Sequence, residues 1–307
     1  VSLDAASAPP IRLVALGNEN RKIEVGNETV LFRHEKTFYH QPGLMLRLAD
    51  DLPAEEFAAR VAEVAEYSVE RVGIALRVDG VVIQDASGDP ATFGARVAQA
   101  VAAGLPVVLS SKNPAVLEAG LKAAQGQNPL IYAADAENWE VMAGLAQRYK
   151  APLAVRGNGD LSSLATLTEA IGGKGVQDLV LDPGTRGWAD SLASLTQLRR
   201  LALKRGTRSL GYPVITFPGE GAEDAREEAL LAGQHIAKYA GIIVLDNWDP
   251  AALYPLLTLR QNIYTDPQKP IQVSPGLYEI GEPKPESPLL VTTNFSLTYF
   301  SVAGEVE

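Results

Sequence analysis

The 307 residues include no cysteine, which excludes disulfides, thiolate catalysis and any iron-sulfur site held in the ordinary way by cysteines of this chain. Histidine is nearly as scarce. The three copies are His34 and His40, ahead of the main repeat, and His235, inside a helical pattern; no spacing among them suggests a metal triad, and a structural role is expected for each. Long apolar runs are also missing. Nothing approaches the roughly 20 residues needed to cross a bilayer, and the opening VSLDAASAPPIRL has neither the charged nor the apolar region of a signal peptide. No membrane partner is expected, and the expected compartment is the cytoplasm. Basic residues are outnumbered, 27 Lys and Arg against 37 Asp and Glu for a net charge of −10. That field opposes nonspecific attraction to phosphate backbones, so no nucleic acid partner is expected either.

What is present is a core-forming chain, 46% hydrophobic, long enough for one large α/β barrel or two ordinary domains. A short apolar strand followed by an amphipathic helix recurs eight times. The strand candidates are GLMLRL from Gly43, RVGIALR from Arg71, LPVVLS from Leu105, PLIYAA from Pro129, PLAVRG from Pro152, DLVLDPG from Asp178, YPVITF from Tyr212 and GIIVLD from Gly241. Each has strand length and is apolar enough for burial on both faces. Helical spacing fills residues 53–68, 90–104, 114–124, 137–149, 161–172, 191–204 and 223–240, and a last helix follows from Asp249. With no antiparallel hairpin read between these units, the pattern predicts an α/β fold of the (β/α)8 TIM-barrel type. An open doubly wound sheet is the alternative, because alternation alone does not prove closure.

Two segments lie outside the repeat. Residues 1–42 form a leader in which IRLVALG, KIEVGN and ETVLFRHE suggest small hairpins. The barrel is expected over residues 43–265 and a Pro-rich linker over 266–287. Residues 288–307, PLLVTTNFSLTYFSVAGEVE, look strand-like and stop abruptly. That ending suggests a further domain of which only the start is present. A period-two reading of the tail puts Thr292, Asn294, Ser296 and Thr298 on one polar face and Thr293, Phe295, Leu297 and Tyr299 on the other.

In a closed barrel, function belongs at the C-terminal strand ends. The candidates there are Asp50, Arg77, Ser110, Ser111, Asn158, Asp182, Thr185, Arg186, Thr216, Asp246 and Asn247. LDPGTR stands out because Pro-Gly after a strand-end Asp makes a tight turn that aims a carboxylate into the mouth. Asn158, Asp182 and Asp246 could hold the donor and acceptor edge of a pterin ring; equally, Asp182 could cap a helix or accept from loop amides. GEGAED at Gly219 opens a helix but lacks the rest of a phosphate-binding signature and is taken as a loop. No carboxylate pair has the spacing of a glycosidase acid and base, and no catalytic constellation is visible.

Five segments carry a resemblance: ETVLFRHEKTFYH from Glu28, LAVRGNG from Leu153, LVLDPG from Leu179, LRQNIYTDPQKPI from Leu259 and FSLTYF from Phe295. Together they resemble the large (gamma) subunit of the corrinoid iron-sulfur protein of the acetyl-CoA synthase/CO dehydrogenase pathway, from about Leu3 to Glu307. The resemblance implies a three-part methyl carrier: a cysteine-rich domain holding a 4Fe-4S cluster, a central barrel and a C-terminal domain binding cobalamin. This chain would begin after the cluster domain and end just inside the corrinoid domain, at residues 288–307, so it would hold neither cofactor alone. Cobalt would accept a methyl group from methyltetrahydrofolate through a separate methyltransferase and pass it to CO dehydrogenase/acetyl-CoA synthase. The barrel would be a scaffold, forming a heterodimer with the small subunit. Family corrinoid contacts match Thr292 and Thr298. The competing reading is a pterin-dependent methyltransferase with Asn158 and Asp182 on the pterin; a purely structural subunit is a third.

Overall fold

A computed structural model describes residues 9–36, 38–265 and 272–306. The leader opens with an antiparallel hairpin, β1 (Val14–Asn18) and β2 (Arg21–Val25). The barrel strands are β3 (Gly43–Ala49), β6 (Gly80–Gln84), β7 (Val107–Ser110), β8 (Leu130–Ala134), β9 (Leu153–Arg156), β10 (Leu179–Asp182), β11 (Ile215–Thr216) and β12 (Ile242–Leu245). They pair in parallel in the order β10-β9-β8-β7-β6-β3-β12-β11. A parallel bridge between Leu181 and Val214 joins the two ends, with the Leu181 amide donating to the Pro213 carbonyl at 2.8 Å. The barrel is closed, so the open-sheet alternative is set aside.

Among the described residues eight helices surround it: α1 (Ala54–Glu66), α2 (Pro90–Ala102), α3 (Pro114–Ala123), α4 (Trp139–Tyr149), α5 (Leu161–Gly173), α6 (Trp188–Lys204), α7 (Ala225–Ala237) and α8 (Pro250–Tyr264). Their starts follow from local chemistry. Asp89, Asn113, Asp160, Asp224 and Asp249 each accept first-turn amides at the heads of α2, α3, α5, α7 and α8, and proline occupies the first turn of α2, α3 and α8. Two apolar layers result. One lies between sheet and helices; the other fills the barrel with Met45, Val82, Val108, Leu130, Ala154, Val180, Ile215 and Val244. Val14, Leu16, Ile23 and Val25 of the leader hairpin join the inner layer and plug the N-terminal end of the barrel.

The second barrel strand is a correction. RVGIALR is not that strand but part of an antiparallel hairpin, β4 (Ser68–Arg71) and β5 (Ile74–Arg77), inserted between α1 and β6. Val72 and Gly73 both take positive φ, 54° and 72°, which reverses the chain in two residues. The barrel strand is GVVIQ, whose first four residues are all buried. Arg77 therefore leaves the list of mouth residues. It sits just before the start of β6, at the opposite end of the barrel, where its carbonyl accepts from Arg260 at 2.9 Å. Gln84 and Asp85 take its place at the mouth.

Two further expectations change. ETVLFRHE is a series of turns rather than a hairpin, clasped to the barrel by Arg199, which donates to Glu28 at 3.2 Å and to the Val30 carbonyl at 2.6 Å. The tail is not β-rich: residues 296–306 form helix α9 (Ser296–Val306). Its inward-leaning positions Ser296, Tyr299, Val302 and Ala303 recur at helical spacing. The polar strand face proposed for Thr292 and Thr298 does not exist, since Thr292 precedes the helix and Thr298 lies in its first turn. Of the expected linker, residues 266–271 lie outside the described residues.

Candidate functional site

Period two fixes what enters the mouth. Two residues beyond the inner-layer positions of each strand stand Arg47, Gln84, Ser110, Tyr132, Arg156, Asp182, Phe217 and Asp246, one per strand. Two loop residues reach in above them, Arg186 after β10 and Glu220 from the short 3₁₀ turn Pro218–Gly221.

Five of these groups, Asp246, Arg47, Glu220, Arg186 and Asp182, form a continuous ladder of alternating charge across the mouth. Arg47 grips Asp246 with two bonds, Nε to Oδ1 at 2.8 Å and Nη2 to Oδ2 at 2.6 Å, and reaches Glu220 with Nη1 at 2.7 Å. Arg186 donates Nε to the other Glu220 oxygen at 2.7 Å and holds Asp182 through both terminal nitrogens at 3.0 Å. Asp182 is fully buried, and it also accepts from the Tyr132 hydroxyl at 2.7 Å and the Gly184 amide at 2.8 Å. Both guanidinium groups lie over the Phe217 ring, at 5.6 and 5.4 Å from its centroid, and Tyr132 packs against the same ring at 4.7 Å.

Burial and charge work against each other here. Burial pulls the Arg186 guanidinium down, but its bonds to Asp182 and Glu220 outweigh this and hold it above the ordinary arginine value. Burial likewise pushes Glu220 up, and the two arginines more than reverse the effect. Tyr132 is held well above the usual phenol range, first by burial and then by the Asp182 charge, so it is a donor and not a base at neutral pH. Behind Asp246, the buried Glu228 accepts from the Asp246 amide at 2.5 Å and the Asn247 side chain at 2.7 Å. Burial leaves its carboxyl raised despite these bonds.

The arrangement satisfies itself. Each Asp182 oxygen takes two donors, which uses the acceptor capacity of a carboxylate. Asp246 takes one bond on each oxygen from Arg47. Asn158 is exposed and turns its side-chain oxygen back to the Asp160 amide at 3.2 Å. The three residues that could have held a pterin edge are thus not presented together as free groups. Asp50 and Ser111 are also internal: Asp50 accepts the Ala86 and Ser87 amides at 2.8 and 2.9 Å, and Ser111 donates to Asp85. Among the described residues no group of three or more His, Asp or Glu is placed to hold a metal ion.

Gly219 tests how tightly the loop closes the mouth. A Cβ there would lie 2.3 Å from Asp246 Oδ2 and 2.8 Å from Glu228 Oε1. Gly219→Ala is expected to destabilise the fold by about 1–3 kcal/mol, because it overpacks carboxylates already fixed by Arg47 and by backbone amides. Urea unfolding checks this; a change within roughly 0.5 kcal/mol would mean the loop lifts freely.

The comparisons bear on this closed mouth. Residues 13–307 match the family described as CO dehydrogenase/acetyl-CoA synthase delta subunit. The corrinoid/iron-sulfur protein large subunit of Moorella thermoacetica is 45% identical over 307 residues, covering 100% of this chain and 68% of that protein. The chain belongs to the corrinoid/iron-sulfur protein large-subunit family. The gamma subunit of the acetyl-CoA decarbonylase/synthase complex of Methanopyrus kandleri is 40% identical over 313 residues, covering 98% and 67%. The matched family's description says delta; the individual relatives, aligned end to end with this chain, are large or gamma subunits, and they decide the assignment. In fold, the chain resembles dihydropteroate synthase from Thermus thermophilus, with a TM-score of 0.54 and 18% identity over 81% of this chain and 100% of that one.

Two of the motifs that carried the resemblance act as braces in this chain. Arg260 and Gln261 of LRQNIY lie at the end of α8: Arg260 donates to the Pro42 carbonyl at 3.0 Å, to the Arg77 carbonyl and to Asp79, and Gln261 exchanges bonds with Arg71. Arg33 of ETVLFRHE donates to the Thr265 carbonyl at 3.0 Å. Thr292 and Thr298 are both exposed and far along the chain from the ladder. Arg47, Tyr132, Phe217 and Glu220 escaped the sequence reading. Arg47 was accessible, since it falls two residues after the inward Met45 in GLMLRL; Glu220 was hidden in a segment read as an ordinary loop.

Proposed function

We propose that this chain is the scaffold barrel of a corrinoid methyl carrier. In the complete protein the corrinoid cobalt would accept a methyl group from methyltetrahydrofolate, by way of a separate methyltransferase, and deliver it to acetyl-CoA synthase. The observation that carries this reading is the end-to-end identity with corrinoid/iron-sulfur protein large subunits. The charge ladder supports the scaffold role, because the strand-end carboxylates Asp182 and Asp246 are already engaged by the barrel's own arginines. In such proteins the cofactor supplies the chemistry and the protein supplies position and access.

The residues present fit the two cofactors unequally. A 4Fe-4S cluster has no ligands here, since the chain has no cysteine. For cobalamin the chain offers Thr292 and Thr298, which we assign as corrinoid contacts; both are exposed, and among the described residues neither hydroxyl is committed to another group. A hydroxyl both donates and accepts, so it serves a corrin amide in either orientation. The contacts would come from the approach to α9 and from its first turn rather than from one strand. Residues 1–42 then serve as leader, 43–265 as barrel, 266–287 as linker and 288–307 as the start of the corrinoid-binding part. The partners of the complete carrier are a small subunit in a heterodimer, the methyltetrahydrofolate methyltransferase and CO dehydrogenase/acetyl-CoA synthase, all in the cytoplasm. Among the described residues no helix is long and apolar enough to cross a membrane.

Calorimetric titration of the 307-residue chain with methyltetrahydrofolate separates this reading from a pterin-dependent methyltransferase. No saturable binding is expected up to millimolar ligand. Saturable micromolar binding that is lost in Asn158→Ala would transfer the methyl-accepting role to the barrel mouth and overturn the scaffold assignment.

A further inference from the structure

The β4–β5 hairpin has no place in the barrel repeat, and the structure gives it a task. It is fixed to α8 at both ends: beside the turn, Arg71 Nη1 donates to Gln261 Oε1 and Gln261 Nε2 donates back to the Arg71 carbonyl at 3.3 Å, and at the base Arg260 holds the Arg77 carbonyl at 2.9 Å. Its tip is Val72–Gly73. Val72 holds φ at 54°, a region that a β-branched side chain avoids unless the surroundings enforce it. The space beside Gly73 is filled by the C-terminal segment, with a Cβ built there 3.5 Å from Val273 Cγ2 and 3.8 Å from the Phe300 ring.

Val273 is the one deeply buried apolar residue of that segment, at 7% exposure, whereas Leu277, Leu289, Val291 and Leu297 stand between 74% and 90% exposed. Around Val273 the chain builds a small clamp. The Val273 amide donates to the Asn294 carbonyl at 2.8 Å, Asn294 Nδ2 returns a bond to the Val273 carbonyl at 3.2 Å, and Gln272 and Phe295 bridge antiparallel. The head of α9 is thus tied to Val273, and Val273 is seated at the hairpin tip.

We propose that the β4–β5 hairpin is a bracket that seats residues 272–306 on the N-terminal face of the barrel, opposite the charge ladder. The face follows from the strand starts: Arg260 also bonds the Pro42 carbonyl and Asp79, beside the first residues of β3 and β6. Resting on the scaffold reading, the bracket would tether the corrinoid-bearing part at this end and leave the mouth outside the path of the cobalt. The bracket itself does not depend on that reading.

Because the chain has no thiols of its own, a cysteine pair tests the contact cleanly. Gly73→Cys with Val273→Cys puts a sulfur near the place of Val273 Cγ2, within bridging reach. The control is Gly88→Cys with Val273→Cys; Gly88 has the same positive φ but lies in the loop after β6, at the mouth. Under mild oxidation the first pair is expected to form an intrachain disulfide at least about tenfold faster than the control. Equal rates would overturn the bracket. As a second measurement, Val273→Asp is expected to raise chymotryptic cleavage at the Leu, Tyr and Phe sites within residues 272–306 severalfold while leaving the barrel's melting temperature unchanged. Unchanged protection of the segment would overturn the proposal as well. Neither readout involves cobalt or folate, so failure here is distinguishable from failure of the methyl-carrier reading.

Discussion

Arg186→Met is expected to destabilise the protein by about 3 kcal/mol, a drop in Tm on the order of 5 °C for a chain of this size. Asp182 has no exposure, and Arg186 gives it two charge-assisted bonds. Removing the cation leaves a buried carboxylate held only by Tyr132 and Gly184 and also strips one of the two partners from Glu220. A surface ion pair would contribute well under about 1 kcal/mol, so the measured size decides whether the ladder is part of the core or of the surface. The discriminating variant is Arg186→Met with Asp182→Asn. The amide keeps one oxygen as acceptor for the Gly184 amide and turns its NH2 to the Tyr132 hydroxyl, which can accept as well as donate, so the double variant should regain about half of the loss. A single variant within about 0.5 kcal/mol of wild type in urea unfolding would show that the ladder stabilises nothing. An equally unstable double variant would assign the loss to packing of Arg186 over Phe217 instead of to the stranded charge.

The same residues show what could be read from sequence. Seven barrel strands and all eight barrel helices were legible because a strand buried on both faces is a continuous apolar run, and because Asp or Asn followed by Pro marks helix starts at Asp89, Asn113 and Asp249. The second strand was missed for a local reason. RVGIALR is apolar and of strand length, but Val72 is a rare occupant of a two-residue turn, so nothing in the residue types announced the reversal that the positive φ values reveal.

The tail failed differently. Thr, Phe and Tyr favour strands only where a sheet receives them, and with no neighbouring strand the spacing of Ser296, Tyr299, Val302 and Ala303 prevails. At the mouth, strand-end position correctly brought forward Asp182, Arg186 and Asp246. Position alone could not reveal that Arg47 and Glu220 come from distant segments to neutralise them, because that depends on which strands become neighbours in the folded barrel, β3 beside β12 and β10 beside β11.

His235 provides the second large effect. It is 97% buried in α7, and among the described residues neither ring nitrogen has a partner. Burial, with a smaller contribution from the Arg186 charge, pushes its pKa down to about 4 from an ordinary 6.5. The folded state therefore keeps the ring neutral where the unfolded chain has already taken up a proton. The resulting stability is fully present above pH 6.5, falls as pH drops from about 6.5 towards 4, and levels off below. A difference of about 2.5 pH units corresponds to roughly 3 kcal/mol. His235→Leu should remove this acid limb. At pH 7 it should lie within about 1 kcal/mol of wild type, since an apolar side chain of similar volume leaves no polar atom unpaired. Carboxylates also titrate in this window, among them Glu228 two turns earlier on the same helix, whose raised carboxyl takes up a proton more readily in the folded state. Their contributions are common to both proteins and cancel in the difference. Urea unfolding of the pair at pH 7, 5.5 and 4.5 should therefore show a gap that widens steadily in favour of the variant. Parallel pH profiles would mean that the ring is already protonated or solvated in the folded protein, and the buried neutral imidazole would have to be abandoned.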